Sequence, residues 1–296
     1  MASISALIDS RGARFTGYSY AFLDEMAKRE IRRRLLKAVA IPGYQVPFGS
    51  REMPIARGWG TGGIQITLSL VGPGDTVKVI DQGDDAGVNA ANIRRLVEQT
   101  TGLPTTLATA EATIIQTRHR IPEEVMREDQ ILVLQVPVPE PLRTVERSVT
   151  AARVMHAEKD YARMWLALYE DIVRRGEISH GAGYPVMVNH RYIMSPSPIP
   201  RWDIPKLHQA RTLYLFGAGR EKRIYAVPPY TDVTPLEFED YPFEVERFPG
   251  QACARCGATN TFLEESIRED GTHVYVCSDV AYCDLRRAGG EAVTWW

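Results

Sequence analysis

All four cysteines of this chain fall inside 31 of its 296 residues: Cys253, Cys256, Cys277 and Cys283, in the pattern C-x2-C-x20-C-x5-C. Cysteines used for packing would be scattered. Two thiolates two residues apart can face one ion from a tight turn, and Gly257 after Cys256 suits such a turn. Between the pairs lies a hairpin pattern. Thr261-Phe262-Leu263 opens a strand, Glu269-Asp270-Gly271 makes the turn, and His273-Val274-Tyr275-Val276 leads into Cys277. Asp-Gly between two such runs is a strong hairpin signal. The hairpin returns the third cysteine to the first two, so the four sulfurs can converge on one centre. Tetrahedral zinc suits four thiolates; iron–sulfur clusters use the same ligands. A disulfide framework fits poorly, because the chain is long and has few cysteines. Cys283, five residues beyond its neighbour, is the member least constrained by spacing and the best candidate for work other than ligation.

The rest of the chain can supply a hydrophobic core, with 44% apolar residues. A formal net charge of −2 gives no basic balance for nucleic acid. The segment from Phe248 to Trp296 carries more acidic than basic side chains, which weakens a nucleic-acid ribbon reading further. No apolar run reaches the roughly 20 residues of a membrane span, and the first residues lack a secretory pattern, so a cytoplasmic protein with reduced thiols is expected. Proline clusters at 136–141, 195–200 and 227–229 mark extended connections over a surface.

The expected fold class is α+β: a mixed α/β core, a helical insertion and a C-terminal four-cysteine metal-binding β-hairpin lobe. Helical periodicity runs from about Tyr20 to Ala40, with Arg29, Arg32, Arg33, Arg34 and Lys37 on its polar side. It ends at Ile41-Pro42-Gly43. Gly43 to Gly63 then holds six glycines and two prolines, a structured loop whose Gly58–Gly63 end would let backbone approach a ligand. Strict alternation in Ile64-Gln-Ile-Thr-Leu-Ser-Leu-Val71 predicts a strand, which excludes a phosphate seat at a helix N-terminus. Asp75–Asp81, Ala112–Arg120 and Gln130–Val138 predict further strands, and Asn89–Thr100 a helix closed by Gly102. A helical pattern over 144–175, as one helix or two, marks a lobe at 141–185 that would suit docking of another protein. Leu213–Val227 predicts a hairpin with a basic glycine tip, and an acidic segment, Glu237–Glu246, leads to the cysteine lobe. The expected division is 1–140 and 186–247 for the core, 141–185 for the insertion and 248–296 for the metal lobe.

Two basic stretches are candidate anion sites. Arg118-His119-Arg120 ends a predicted strand, and Arg220 and Arg223 flank the glycine turn. The plainer readings are a hydrogen-bonded structural histidine and an exposed hairpin tip.

These segments together resemble the catalytic subunit of bacterial carbon–phosphorus lyase, the PhnJ family. The resemblance is carried by LKAVAIPGYQVPFG (Leu36–Gly49), GWGTGGIQ (Gly58–Gln65), IQTRHRIP (Ile115–Pro122), LFGAGREKRIYAVPP (Leu215–Pro229) and the spaced cysteines, and covers nearly the whole chain after about Gly17. It implies a radical enzyme using S-adenosylmethionine and a [4Fe–4S] cluster. The substrate implied is α-D-ribose 1-methylphosphonate 5-phosphate, and the products are α-D-ribose 1,2-cyclic phosphate 5-phosphate and methane. It further implies that Cys253, Cys256 and Cys277 hold the cluster, that Gly43 is the glycyl-radical position, that Cys283 is the thiyl, and that His119 belongs to the active site. A carbon–phosphorus bond offers no good leaving group, so a cofactor must supply the reactive power. Partners implied are the core subunits PhnG, PhnH and PhnI and an ABC-type ATPase subunit, PhnK. The chain lacks the C-x3-C-x2-C motif of most radical S-adenosylmethionine enzymes, so cluster binding stands on the resemblance. Zinc at all four cysteines in the resting or aerobic form is the other reading, and a non-catalytic zinc-ribbon scaffold subunit is the competing function. A scaffold has no need of Gly43 together with Cys283.

Overall fold

The computed structural model describes residues 24–49, 62–82, 84–137, 141–157, 161–175, 185–196, 201–236 and 247–289. The first helix, α1 (Glu25–Ala40), begins where the Asp24 carboxylate accepts the Ala27 N–H at 2.7 Å. It buries Ile31, Leu35 and Ala38, stops before Pro42, and leaves Arg29, Arg33 and Lys37 at least partly open to solvent. Strand β1 (Val46–Pro47) follows, then α2 (Gly62–Leu70).

Helix α2 overturns the strand expected over Ile64–Val71. Alternation reports a face only when one side is wet, and every residue of α2 is buried. Its polar residues are satisfied internally instead. Thr67 hydrogen-bonds Gln116, the Ser69 hydroxyl donates to the Gln65 carbonyl at 2.7 Å, and the Gln135 side chain accepts the Gly63 N–H at 2.9 Å. Arg32 closes the far end by donating to the Ser69 carbonyl at 2.9 Å. The paired glycines are what allow this helix to lie so deep. A Cβ at Gly62 would stand 2.4 Å from the Gly219 nitrogen, and one at Gly63 would stand 2.8 Å from Gln116 Nε2. The glycine-rich stretch therefore does feed a helix; its Gly58–Thr61 portion lies outside the described residues.

Strand β2 (Val77–Ile80), helix α3 (Val88–Thr101), β3 (Thr105–Thr106), β4 (Ile114–Thr117) and β5 (Ile131–Gln135) come next. Helix α3 ends at Gly102 with φ +70°, as its glycine predicts. Helices α4 (Val149–Ala157) and α5 (Tyr161–Arg175) make up the helical stretch, two helices rather than one. They pack Ala152, Met155, Met164 and Leu168 around Leu142, Ile193 and Leu236. The chain continues through β6 (Val186–Val188), β7 (Tyr192–Met194), a 3-10 segment (Arg201–Leu207), β8 (Leu213–Ala218), β9 (Arg223–Val227) and β10 (Val233–Pro235). The hairpin β8–β9 forms as expected. The acidic segment 237–246 lies outside the described residues.

Seven strands form one sheet in the order β1-β9-β8-β5-β4-β2-β3, and β3, β2, β4, β5 and β8 run parallel. Helices α1, α2 and α3 cover one face, over Val77, Val79, Ile114, Ile131, Val133 and Leu215. The small sheet β10-β6-β7 and the 3-10 segment cover the other, over Ile80, Ile115, Leu132, Leu134, Phe216 and Tyr225. Burial on both faces explains why the parallel strands read as apolar runs. From β2 the chain steps outward to β3, then crosses back to β4 and proceeds through β5 to β8. The winding thus reverses between β2 and β4, and open α/β sheets bind ligands beyond the carboxyl ends of strands at such a switch point.

Candidate metal centre

Two further strands, β11 (Leu263–Ile267) and β12 (His273–Cys277), form the predicted hairpin, with Gly271 at φ +81° and Asp270 accepting the Thr272 N–H at 2.9 Å. Cys277 closes β12 opposite Leu263. Cys253 and Cys256 lie on a tight knuckle: Gly257, at φ +72°, donates to the Cys253 carbonyl at 2.8 Å. The Ala254 N–H donates to the Tyr275 carbonyl at 2.7 Å and stitches the knuckle to β12. Helix α6 (Val280–Arg287) carries Cys283.

The sulfurs meet. Cys253 Sγ stands 3.8 Å from Cys283 Sγ, Cys256 Sγ stands 3.5 Å from Cys277 Sγ, and all four lie within 4.8 Å of one another. Four thiolates at about 2.3 Å from one ion occupy tetrahedral corners about 3.8 Å apart. The cysteines are positioned to bind a metal ion, and the spacing is that of a single tetrahedral ion. A [4Fe–4S] cubane places each thiolate outside its own iron corner, so its ligands stand much farther apart. The closed arrangement does not fit that cluster. Nor is Cys283 set aside, as its sequence spacing had suggested: it is fully buried, and its sulfur completes the set. Burial raises the Cys253 thiol, but N–H groups of Cys256, Cys277 and Arg255 outweigh it and bring it down to about 6. Burial and the neighbouring sulfurs push Cys283 up to about 12. Cys253 is therefore more readily ionised for a metal than Cys283.

The lobe is seated at the switch point of the large sheet. Arg120, just beyond β4, lies 4.3 Å from the Phe262 ring centroid and hydrogen-bonds Ser278. Phe248 packs edge-on against Phe262 at 5.2 Å and beside Trp202 at 6.4 Å. The Glu123 N–H donates to Asp279 Oδ2 at 3.1 Å.

The other candidate residues fall into three places. Arg118 and Arg120 are engaged by the fold: Arg118 pairs with Asp81 at 2.7 Å, and Arg120 is buried between Asp203, at 3.0 Å, and Glu123. His119, half-buried between them, has φ +72°, a conformation strained for an L-residue. Arg220 is exposed on the β8–β9 turn, and Arg223 opens β9. That turn follows β8 and so shares the carboxyl end of the sheet with Arg118–Arg120. Gly43 is elsewhere. It is buried at φ +79°, donates to the Ala226 carbonyl at 2.9 Å, and faces Val188 and Tyr192. Ala226 pairs with Leu215 near the amino end of β8. Gly43 thus lies toward the opposite end of the sheet from the cysteines. Three strand spacings also separate β9 from β4, about 14 Å at roughly 4.8 Å each. The structure does not bring Gly43 and Cys283 together.

Sequence reasoning missed the buried charges beneath the lobe: Lys78, Asp85, Glu123, Asp203, Lys206 and Asp279. One signal was legible. Lys78 interrupts the apolar run Val77–Ile80, and a lysine there needs a buried carboxylate.

Fold and site together define a doubly covered α/β protein whose mostly parallel sheet carries, at its switch point, a lobe of four cysteines positioned to bind a metal ion. No described helix is long and apolar enough to cross a membrane. The chain belongs to the family described as phosphonate metabolism protein PhnJ, whose model matches residues 16–289. It is 57% identical over 276 residues to the "Alpha-D-ribose 1-methylphosphonate 5-phosphate C-P-lyase" of Rhizobium meliloti (strain 1021), covering 93% of each chain. It is 56% identical over 272 residues to the C-P lyase of the same description from Escherichia coli (strain K12), covering 92% of this chain and 96% of that one.

Proposed function

We propose that this protein cleaves the carbon–phosphorus bond of α-D-ribose 1-methylphosphonate 5-phosphate in phosphonate catabolism, releasing methane and leaving α-D-ribose 1,2-cyclic phosphate 5-phosphate. The observation that carries the reading is identity of 57% across 93% of the chain to a curated C–P lyase, in a family match that spans Gly43, His119 and all four cysteines. The chemistry is radical in this proposal; S-adenosylmethionine and a [4Fe–4S] cluster would supply the reactive power, and Cys253, Cys256 and Cys277 would hold the cluster only in a state that spreads the sulfurs beyond the spacing seen here. The closed sulfurs suit one ion such as zinc, so this conformation is taken as the resting form.

The chain's own residues take these parts. Cys283, as a sulfur radical, attacks phosphorus and the carbon–phosphorus bond breaks; the methyl radical takes the α-hydrogen of Gly43 to become methane, which leaves the radical on Gly43. The ribose 2-hydroxyl then displaces the sulfur and closes the cyclic phosphate. Gly43 is the glycyl position. Its α-carbon is shielded by Val188 and Tyr192, which suits a radical that must avoid solvent. The separation of Gly43 from Cys283 means that direct transfer between them requires a rearranged state. His119, held in a strained conformation at the carboxyl end of the sheet, is proposed for the active site. Arg220 and Arg223 are proposed for substrate anions; Arg118 and Arg120, already paired with carboxylates, would have to give up those pairs to take one. PhnG, PhnH, PhnI and PhnK are the proposed partners, with α4–α5 as the surface for the ATPase subunit.

The test is phosphorus NMR of the anaerobic reaction with the assembled subunits. Loss of the phosphonate resonance with growth of a cyclic phosphate resonance supports the reading. An unchanged phosphonate with metal-loaded, folded protein would favour a zinc-ribbon scaffold.

A further inference from the structure

The four thiols are held by two different bodies. Cys253 and Cys256 sit on a knuckle tied to β12, and Cys277 is the last residue of that strand, so the hairpin alone fixes three sulfurs. Cys283 depends on the first turn of α6. Its N–H donates to the Asp279 carbonyl at 3.0 Å, and the Tyr282 N–H donates to Asp279 Oδ1 at 3.0 Å. Both ends of that turn are gripped by the core. Asp279 Oδ1 lies 3.7 Å from Lys78 Nζ, and Asp279 Oδ2 accepts the Glu123 N–H at 3.1 Å. The Ala281 N–H donates to Asp85 Oδ2 at 3.3 Å, and the same oxygen accepts Lys78 Nζ at 3.0 Å. Lys78 and Asp85 are fully buried, and Asp279 nearly so. Between α6 and the knuckle, by contrast, Arg255 pairs with Asp284 at 3.2 Å in the open, and an ion pair so exposed to solvent is weak.

We infer that Asp279 and Asp85, bridged by Lys78, are positioning residues that set the fourth thiolate from the core, independently of the three set by the hairpin. Buried charge at the sheet's switch point thereby governs the approach of the Cys283 sulfur to the other three. This goes beyond the proposed reaction, because it concerns the thiols of the chain with any tetrahedral metal and would hold for zinc alone.

The test is alkylation mapping on the full chain loaded with zinc. Asp279→Asn removes the charge and sets an amide NH2 against one of the two N–H groups that Asp279 accepts, whereas Asp85→Asn removes the charge at the second grip with one oxygen still free to accept the Ala281 N–H. Each variant is treated with iodoacetamide, and the labelled cysteines are quantified by peptide mass spectrometry. Loss of a supporting partner beside a metal ligand weakens the site about 10- to 100-fold. The expected result is labelling of Cys283 accelerated by that order, while Cys253, Cys256 and Cys277 stay protected by zinc. Equal acceleration at all four cysteines, or none at any, overturns the inference, since either result means the four sulfurs are held as one body. If Asp279→Asn does not fold, the pattern in Asp85→Asn decides. Because the assay needs neither substrate nor reduced cluster, its failure is distinct from failure of the lyase reading.

Discussion

Gly43→Ala is the obvious substitution for probing a glycyl radical, and the structure predicts that it does two things at once. The backbone at Gly43 has φ +79°, which costs an L-residue about 1–2 kcal/mol. The added Cβ would also stand 2.8 Å from Val188 Cβ and 3.0 Å from Tyr192 Cβ. Forcing an extra methyl into such packing costs about 1–3 kcal/mol. The sum is about 2–5 kcal/mol, a large part of the roughly 5–15 kcal/mol that holds a domain together. At about 2–4 °C per kcal/mol, the expected loss in Tm is about 4–20 °C. Val188→Ala added to Gly43→Ala removes Cγ1 but leaves the closer Cβ, so it restores only a small part. Differential scanning calorimetry of the zinc-loaded chain reads this directly. A Gly43→Ala protein melting within about 1 °C of the parent would refute the packing argument. If the loss is found, absence of activity in that variant does not discriminate a lost radical position from a damaged fold, and isotope-labelled glycine observed by EPR becomes the probe of Gly43.

Three further outcomes follow from the same geometry. Gly62→Ala drives a Cβ into the Gly219 backbone at 2.4 Å and should shift α2 or unfold the chain, at a cost above the roughly 1–3 kcal/mol of ordinary overpacking; a soluble variant with unchanged melting would contradict the buried helix. Asp203→Asn strips the carboxylate shared by Arg120 and Lys206 and should cost about 3–5 kcal/mol, read as a shift in urea midpoint at constant slope. For pH, burial lowers Lys78 but Asp279 and Asp85 outweigh it, so its folded value lies above the ordinary 10.5. Its stabilisation is complete below 10.5 and is lost only as pH rises through the raised value. The Tm gap between parent and Asp279→Asn should therefore stay flat through neutral pH and narrow above 10.5; a gap that closes near neutrality would mean Lys78 is uncharged in the fold.

What was legible in the sequence was what local chemistry dictates. The Asp270-Gly271 turn located the metal-lobe hairpin, and the strands expected over Asp75–Asp81, Ala112–Arg120 and Gln130–Val138 enclose β2, β4 and β5. Helix α2 was illegible because alternation loses its meaning where no side meets water: Gln65, Thr67 and Ser69 find protein partners instead. The ion network was illegible for a different reason. Arg120 and Asp203 are 83 residues apart, and pairing across such a distance is decided by the sheet order, which brings β4 and the 3-10 segment beneath the cysteine lobe. The clustering of the four cysteines showed that their sulfurs could converge, but not what holds Cys283 among them, since its place depends on how Asp279 starts α6.

The measurement that bears most directly on the proposed radical chemistry is anaerobic reconstitution with iron and sulfide, followed by reduction. EPR is recorded and 5′-deoxyadenosine released from S-adenosylmethionine is quantified, in the parent chain and in Cys253→Ala. The account predicts a reduced-cluster signal with cofactor cleavage, both lost in the variant. Stoichiometric zinc that iron cannot displace, with no 5′-deoxyadenosine, would contradict it and place the chemistry in another subunit.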